Sequence, residues 1–251
     1  MRGAMAVVAL VASCGSGSER DATLTVSVAA SLKEVVGKLA DDFRTIHPRV
    51  QIAINSGSSG MLAQQIEQGA PVDVFVSAGR LEIDRLVQKG LVAGTPATLA
   101  RNRLVLVVPR GSTWQGKPPR DVLTSADVQR VASGDPNTVP FGRYAKEALT
   151  KAELWDALRP KMIFAMDVRQ ALTYAEQRNV DAAIVYATDA VSEDGLVAIG
   201  ELPGGQTVRI ENVAARLARS QVAAAERFFT YLTSETAAAE FVRRGFLPPA
   251  P

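Results

Sequence analysis

The chain has 251 residues, of which 47% are apolar, so it can bury a large core and is not a disordered protein. Its 28 basic and 26 acidic residues leave a net charge of +2 without a basic stripe, which argues against nucleic acid as a partner. Aromatic residues make up 6%, too few for a sugar cleft of stacked rings, and one Cys excludes a disulfide framework.

The first residues have the pattern of an export signal. Arg2 is followed by an apolar run of about eight residues, which is too short to span a bilayer. The run ends in Val-Ala-Ser-Cys, and a polar spacer follows Cys14. This arrangement resembles a bacterial lipoprotein signal, in which the Cys carries the lipid; the alternative is an ordinary secretory signal with an incidental Cys. Either way we expect residues 1–21 to direct export, to the periplasm or to a lipid anchor at the cell surface.

From Thr23 onward, predicted strands and helices alternate. The segment 31–47 shows the clearest helical pattern, because its apolar residues recur at intervals of three and four. The first half of the chain therefore contains strands at 23–30, 50–55, 72–79 and 103–109, and helices at 31–47, 61–68 and 80–90. This order is typical of a parallel sheet with crossover helices.

The second half repeats the pattern after a loop rich in Gly and Pro. It contains predicted strands at 130–136, 161–165, 182–187, 195–200 and 208–217, and helices at 142–152, 168–178, 188–194, 221–233 and 235–244. Two α/β units joined by two crossing strands predict two lobes with a cleft between them. We assign residues 22–103 and 207–251 to lobe 1 and residues 104–206 to lobe 2. In such folds ligands bind where strands end and helices begin.

Four junctions between a strand and a helix offer hydrogen-bond donors. Ser31 and Glu34 form an S-x-x-E capping pattern, and Asp167 and Gln170 form a similar one. The other two junctions are the SGSSG run at 56–60 and the VPFG run at 139–142. Helix N-termini attract anions, so four that converge would form an anion site without charged side chains. The alternative is that each cap serves only its own helix.

Several classes of enzyme lack the residues they need. The only His is His47, which precedes Pro48 at a helix end, so a Ser nucleophile has no evident base. GSSG is not the G-x-S-x-G elbow, and the nucleotide-binding glycine motifs are absent. One Cys and one His cannot form a metal cluster. We therefore expect neither catalysis nor a cofactor, and the alternative left open is a secreted serine hydrolase using Ser59.

Five segments in this order resemble the molybdate-binding proteins of ABC transporters: TVSVAASLKEV, SGSSGMLAQQIEQGAPVDVFVSA, GDPNTVPFGRYAKEAL, DVRQAL and AAIVYATDA. The likeness runs from about residue 23 to about residue 246. It implies a two-lobed periplasmic binding fold of type II, each lobe a mixed, mostly parallel sheet flanked by helices. It also implies a monomer that closes on molybdate or tungstate and docks on a membrane permease driven by an ATPase. Molybdenum would be present only as bound molybdate.

The resemblance also implies which residues bind the anion. Ser31 and Ser59 would each donate a hydroxyl and a backbone N–H, Phe141 and Val168 would each donate a backbone N–H, and Tyr186 would donate its phenol. All five are neutral donors. Such a set rejects anions that still carry a proton, and cavity size would separate molybdate from the smaller sulfate. A receptor for sulfate or phosphate remains the alternative.

Two details of this site depart from the family pattern or stay open. Ser58 competes with Ser59 for the ligand position, and Ser59 is preferred because it lies three residues before the Leu of LAQQI. Phe141 stands where family members can have a small residue, and its ring is expected to narrow the mouth of the cleft.

Overall fold

The computed structural model describes residues 22–191 and 194–249. The predicted export signal, with Cys14, lies outside the described residues. Two five-stranded sheets, each flanked by helices, form the two lobes. The chain passes from lobe 1 to lobe 2 just after residue 102 and returns just before residue 210. Among the described residues, no helix combines the length and the apolar character that a membrane crossing needs.

Lobe 1 holds the first four strands and the last one. Its sheet has the order β2-β1-β3-β10-β4, in which β1 pairs in parallel with β2 and β3, and β10 pairs antiparallel with β3 and β4. Its elements are β1 (Ala22–Ala29), α1 (Lys33–Ile46), β2 (Val50–Gly57), α2 (Ser59–Glu67), β3 (Val74–Ser77), α3 (Arg80–Gln88), β4 (Val92–Asn102), β10 (Ile210–Leu217), α9 (Ala223–Leu232) and α10 (Glu235–Arg243).

Lobe 2 repeats this plan with the order β7-β6-β8-β5-β9. Here β6 pairs in parallel with β7 and β8, while β5 pairs antiparallel with β8 and β9. Its elements are β5 (Leu104–Pro109), α4 (Pro119–Thr124), β6 (Val131–Gly134), α5 (Pro140–Lys151), α6 (Trp155–Leu158), β7 (Met162–Ala165), α7 (Val168–Glu176), β8 (Ala182–Tyr186), α8 (Ala187–Ala190) and β9 (Leu196–Glu201).

The predicted fold class is confirmed, since both sheets are mixed and flanked by helices. Only half of the strand pairings in each sheet are parallel, fewer than expected. The strands read as apolar runs because both faces are covered: every residue of β5, β6 and β8 is buried. The parallel strands β1, β3, β6 and β8 end at the cleft, where the helices that follow them begin.

Two local features differ from the sequence analysis. Strand β4 forms where no strand is predicted, although Gly94, with a positive φ of 68°, and Pro96 lie within it. The predicted capping pair of Ser31 and Glu34 does not form. A 3-10 turn at Ala30–Leu32 precedes α1, which has no side-chain cap, and Glu34 instead pairs with Arg169.

Candidate functional site

A small cavity lies between the two lobes. Its volume is about 20 Å³, against several hundred Å³ for a site that holds a drug-sized ligand. It therefore has room for one small ion rather than for a cofactor. The walls come from the ends of strands and the starts of helices in both lobes, namely Ala29, Ala30, Ser31, Gly57, Ser58, Ser59, Ala78, Val139, Pro140, Phe141, Asp167, Val168 and Tyr186. All five predicted donors, together with Ser58, are thus brought together at one cavity.

Ser59 is the first residue of α2 and is 1% exposed. Its Oγ accepts a hydrogen bond from the backbone N–H of Ala78 at 3.0 Å, across the junction between β3 and α3. A hydroxyl that accepts through its oxygen keeps its own proton for another acceptor. Because Ser59 lines the cavity, this proton is available to a bound anion.

Ser58 is the N-cap residue of α2, but its side chain does not cap the helix. Its Oγ instead donates to the backbone carbonyl of Thr138 in lobe 2, at 3.3 Å. The proton of Ser58 is therefore used in joining the lobes. This difference between two adjacent hydroxyls is invisible in the sequence, because it depends on a residue 80 positions away.

Phe141 is the second residue of α5, after Pro140. Proline is well suited to the first position of a helix, where its missing N–H costs no hydrogen bond. No side chain caps α5, so the N–H of Phe141 stays available at the positive end of the helix. The ring does not narrow the cleft mouth as expected. It is 1% exposed and packs against Tyr186, with ring centroids 6.0 Å apart.

Val168 begins α7, and Asp167 is its N-cap. Asp167 accepts from the N–H of Gln170 at 2.9 Å, as the sequence pattern predicts. The Gln170 side chain accepts from the N–H of Met166 rather than from that of Asp167, so the box is displaced by one residue. The Asp167 side chain accepts from the third N–H of the helix. The N–H of Val168 therefore remains available at the cavity, which Val168 lines.

Ser31 and Tyr186 complete the predicted set. Ser31 lies in the half-buried 3-10 turn after β1, in which no side-chain cap forms. Tyr186 ends β8 and is 2% exposed, and its hydroxyl donates to the carbonyl of Ala78 at 3.3 Å. Burial raises the pKa of Tyr186 well above its usual value near 10, and nearby Tyr144 and Asp189 raise it further. The phenol therefore remains protonated at neutral pH; its one proton points to Ala78, as that of Ser58 points to Thr138, and must turn to the anion for Tyr186 to act as a donor.

The electrostatics of the wall favour an anion without a fixed cation. Within the described parts of the chain, residues 22–191 and 194–249, no Lys or Arg lines the cavity, and the one carboxylate there, Asp167, is engaged by its own helix. The N-termini of α2, α5 and α7 all open onto the cavity, with the 3-10 turn before α1 beside them. Among the described residues, no group of His, Cys, Asp and Glu could hold a metal ion.

The surroundings of Ser59 do not support a role as the nucleophile of a serine hydrolase. His47 lies at the far end of α1 from the cavity and stacks on Phe43, with ring centroids 4.3 Å apart. It is half-buried. The residue that the sequence did not reveal is Ala78, whose backbone fixes both Ser59 and Tyr186.

Comparison with known proteins agrees with this geometry. The family model for bacterial extracellular solute-binding proteins matches residues 24–247. The molybdate-binding protein ModA of Escherichia coli is 36% identical over 238 residues, which cover 92% of this chain and 91% of ModA. YvgL of Bacillus subtilis, named as an ABC transporter substrate-binding lipoprotein, is 40% identical over 194 residues, 75% of this chain and 74% of YvgL.

A solved structure shows the same architecture. The periplasmic molybdate-binding protein of Azotobacter vinelandii superposes with a TM-score of 0.79 at 25% sequence identity. The match covers 90% of this chain and all of that protein.

Proposed function

The chain belongs to the family of bacterial extracellular solute-binding proteins, and we propose that it captures molybdate and tungstate for an ABC importer. The observation that carries this proposal is the convergence of Ser31, Ser59, Phe141, Val168 and Tyr186 on one cavity of about 20 Å³. The resemblance to molybdate-binding relatives over most of the chain supports the choice of anion.

The ligand would be held by hydrogen bonds alone. Each hydrogen bond between a neutral donor and a charged ligand contributes roughly 1.5–3 kcal/mol. Lobe 1 would supply Ser31 and Ser59, and lobe 2 would supply the other three donors. The anion would bridge the lobes and favour their closure, because only the closed form brings all the donors within reach.

Of the two serines in SGSSG, Ser59 is the proposed ligand. Its hydroxyl accepts from Ala78 and retains its proton, whereas the proton of Ser58 is directed to Thr138. Ser58 is then a contact between the lobes that lies beside the anion.

Function by binding alone requires no catalytic residue and no cofactor. We propose that the protein acts as a monomer outside the cytoplasm, carries a lipid on Cys14, and delivers the anion to a permease driven by an ATPase. Labelling of cells with a radioactive fatty acid tests the anchor: the protein is expected to be labelled, and Cys14→Ala is expected to abolish the label.

Isothermal titration of the purified protein tests the choice of anion. Molybdate and tungstate are expected to bind at least 100-fold more tightly than sulfate and phosphate at pH 7. Phosphate is disfavoured because its remaining proton meets donors rather than acceptors, and sulfate because it is smaller than the cavity requires. Tight binding of sulfate without binding of molybdate would overturn the proposal. Hydrolysis of an acyl ester that depends on Ser59 would contradict a function by binding alone.

A further inference from the structure

Lobe 2 is held on lobe 1 by contacts on both sides of Phe141. Before it, the carbonyl oxygen of Thr138 accepts from Ser58 and approaches Gly60 closely. After it, Arg143 donates from Nη2 to Oε1 of Glu82 in lobe 1, at 2.5 Å. None of Gly60, Thr138, Glu82 and Arg143 lines the anion cavity; all of them line a larger pocket beside it.

The two lobes lie so close together at position 60 that only glycine fits there. A Cβ atom at this position would lie 2.1 Å from the carbonyl oxygen of Thr138, far inside van der Waals contact. Gly60 is the second residue of α2 and does not have a positive φ. An alanine here is therefore compatible with lobe 1 by itself and clashes only with lobe 2.

The ion pair between Glu82 and Arg143 also depends on closure. The side chain of Glu82 is 3% exposed and that of Arg143 is 24% exposed. Within the part of the chain that the structure describes, the second carboxylate oxygen of Glu82 has no hydrogen-bond partner. A buried carboxylate is costly unless it is paired, so loss of Arg143 would leave its charge uncompensated. When the lobes separate, both groups return to water.

We propose that these contacts form a closure latch, defined as Gly60 with Thr138 and Glu82 with Arg143. It positions the N–H of Phe141 at the cavity and sets the lifetime of the closed, anion-bound state. The inference rests on the proposed function. Interactions that exist only in the closed form raise affinity by stabilising that form, although they never touch the ligand.

A third contact accompanies the latch. Tyr144, on α5, lies against Gly79 just before α3, since a Cβ at Gly79 would lie 3.3 Å from the Tyr144 hydroxyl. By contrast, the pair of Glu34 and Arg169 also crosses between the lobes, but Glu34 is 56% exposed. Exposed pairs contribute little to stability. The latch is therefore concentrated at the N-terminal turn of α5.

The experiment compares glycine variants in two helices of lobe 1, by isothermal titration with molybdate and by stopped-flow dissociation. Gly60→Ala is expected to weaken binding at least tenfold, through faster dissociation, without lowering the thermal midpoint of the ligand-free protein. Gly37→Ala is the control, because a Cβ there meets nothing within 4 Å. It is expected to bind within twofold of the unaltered protein.

Two charge variants test the ion pair in the same assays. Glu82→Gln is expected to weaken binding about tenfold, and this effect is expected to vanish in an Arg143→Gln background. Glu67→Gln is the control, since Glu67 pairs with Arg85 at the same length of 2.5 Å but within lobe 1. If Glu82→Gln does not fold, the single variant Arg143→Gln is tested instead, and it is also expected to weaken molybdate binding about tenfold.

The outcomes separate the latch from the proposed function. If the unaltered protein binds molybdate and Gly60→Ala binds it within threefold, the latch is overturned and the proposed function stands. Equal losses of molybdate affinity in Glu82→Gln and Glu67→Gln would likewise overturn the proposed role of the ion pair between Glu82 and Arg143. If the unaltered protein binds none of molybdate, tungstate, sulfate and phosphate, both proposals fail.

Discussion

A proline at position 168 removes one proposed donor while leaving its helix in place. Val168 is the first residue of α7, where proline is tolerated because its N–H makes no bond within the helix. The residue before a proline must be extended, and Asp167 already has φ −154° and ψ 175°. The capping bond from Gln170 to Asp167 does not involve Val168 and is retained.

The size of the effect follows from the chemistry of the lost bond. A hydrogen bond to a charged group contributes roughly 1.5–3 kcal/mol. Since about 1.4 kcal/mol corresponds to a factor of ten, Val168→Pro should weaken molybdate binding about 10- to 150-fold. Val168→Ala is the matched control, because it removes the side chain, which is 3% exposed, and keeps the N–H. We expect it to change binding less than threefold.

Isothermal titration with molybdate gives the affinities, and circular dichroism gives the helix content and thermal midpoint of each ligand-free variant. The reasoning requires that Val168→Pro stay folded and bind more weakly than Val168→Ala. Equal affinities of the two folded variants would show that the N–H of Val168 makes no bond to the anion.

Three further predictions concern the hydroxyl groups. Ser59→Ala should weaken molybdate binding about tenfold or more. Ser58→Ala should weaken it less, because Ser58 contributes only a 3.3 Å hydrogen bond between the lobes, to Thr138, and none to the anion. A larger loss in Ser58→Ala would assign the ligand position to Ser58. Tyr186→Phe should also weaken binding about tenfold when the phenol turns from Ala78 to the anion, and an unchanged dissociation constant would show that its proton stays on Ala78. Burial raises the pKa of Tyr144 to about 12 and that of Tyr186 well above 10, so stability is full below pH 10 and falls as the pH rises above it. Between pH 10 and 12 each tyrosine should contribute a slope approaching about 1.4 kcal/mol per pH unit, and urea unfolding over that range should show a smaller slope for Tyr144→Phe.

The parts of the site that could be predicted are those with a local cause. Strand β1, the helix that follows it and the cap at Asp167 all arise from residues within a few positions of one another. The converging junctions could be predicted because parallel strands place their carboxyl ends at one edge of a sheet. Such signals located the junctions that contain Ser31, Phe141 and Val168, whereas the choice of these residues as donors came from the resemblance to molybdate-binding proteins.

What could not be predicted depends on distant pairs. β4 is stabilised as a strand by pairing with β10, more than 100 residues later, which outweighs the Gly and Pro within it. Glu34 is drawn from its expected cap to Arg169, 135 positions away. Glu82 and Arg143 are 61 positions apart, and each taken alone resembles an ordinary solvated charge on a helix. Only the folded chain shows that these partners meet.

The neutral donors line the cavity and the ion pair of Glu82 and Arg143 lies outside it, and this arrangement has a physical reason. A Lys or Arg in the cavity would attract every anion, whereas fixed N–H and O–H groups bind only an anion whose oxygens lie where they point. The charges of Glu82 and Arg143 lie outside the cavity, so they favour closure whichever anion is enclosed. The cavity donors then contribute both affinity and selectivity, while the closure latch contributes affinity alone. Replacing a cavity donor such as Ser59 should change the preference among oxyanions, while replacing Gly60 should weaken the binding of all of them by a similar factor.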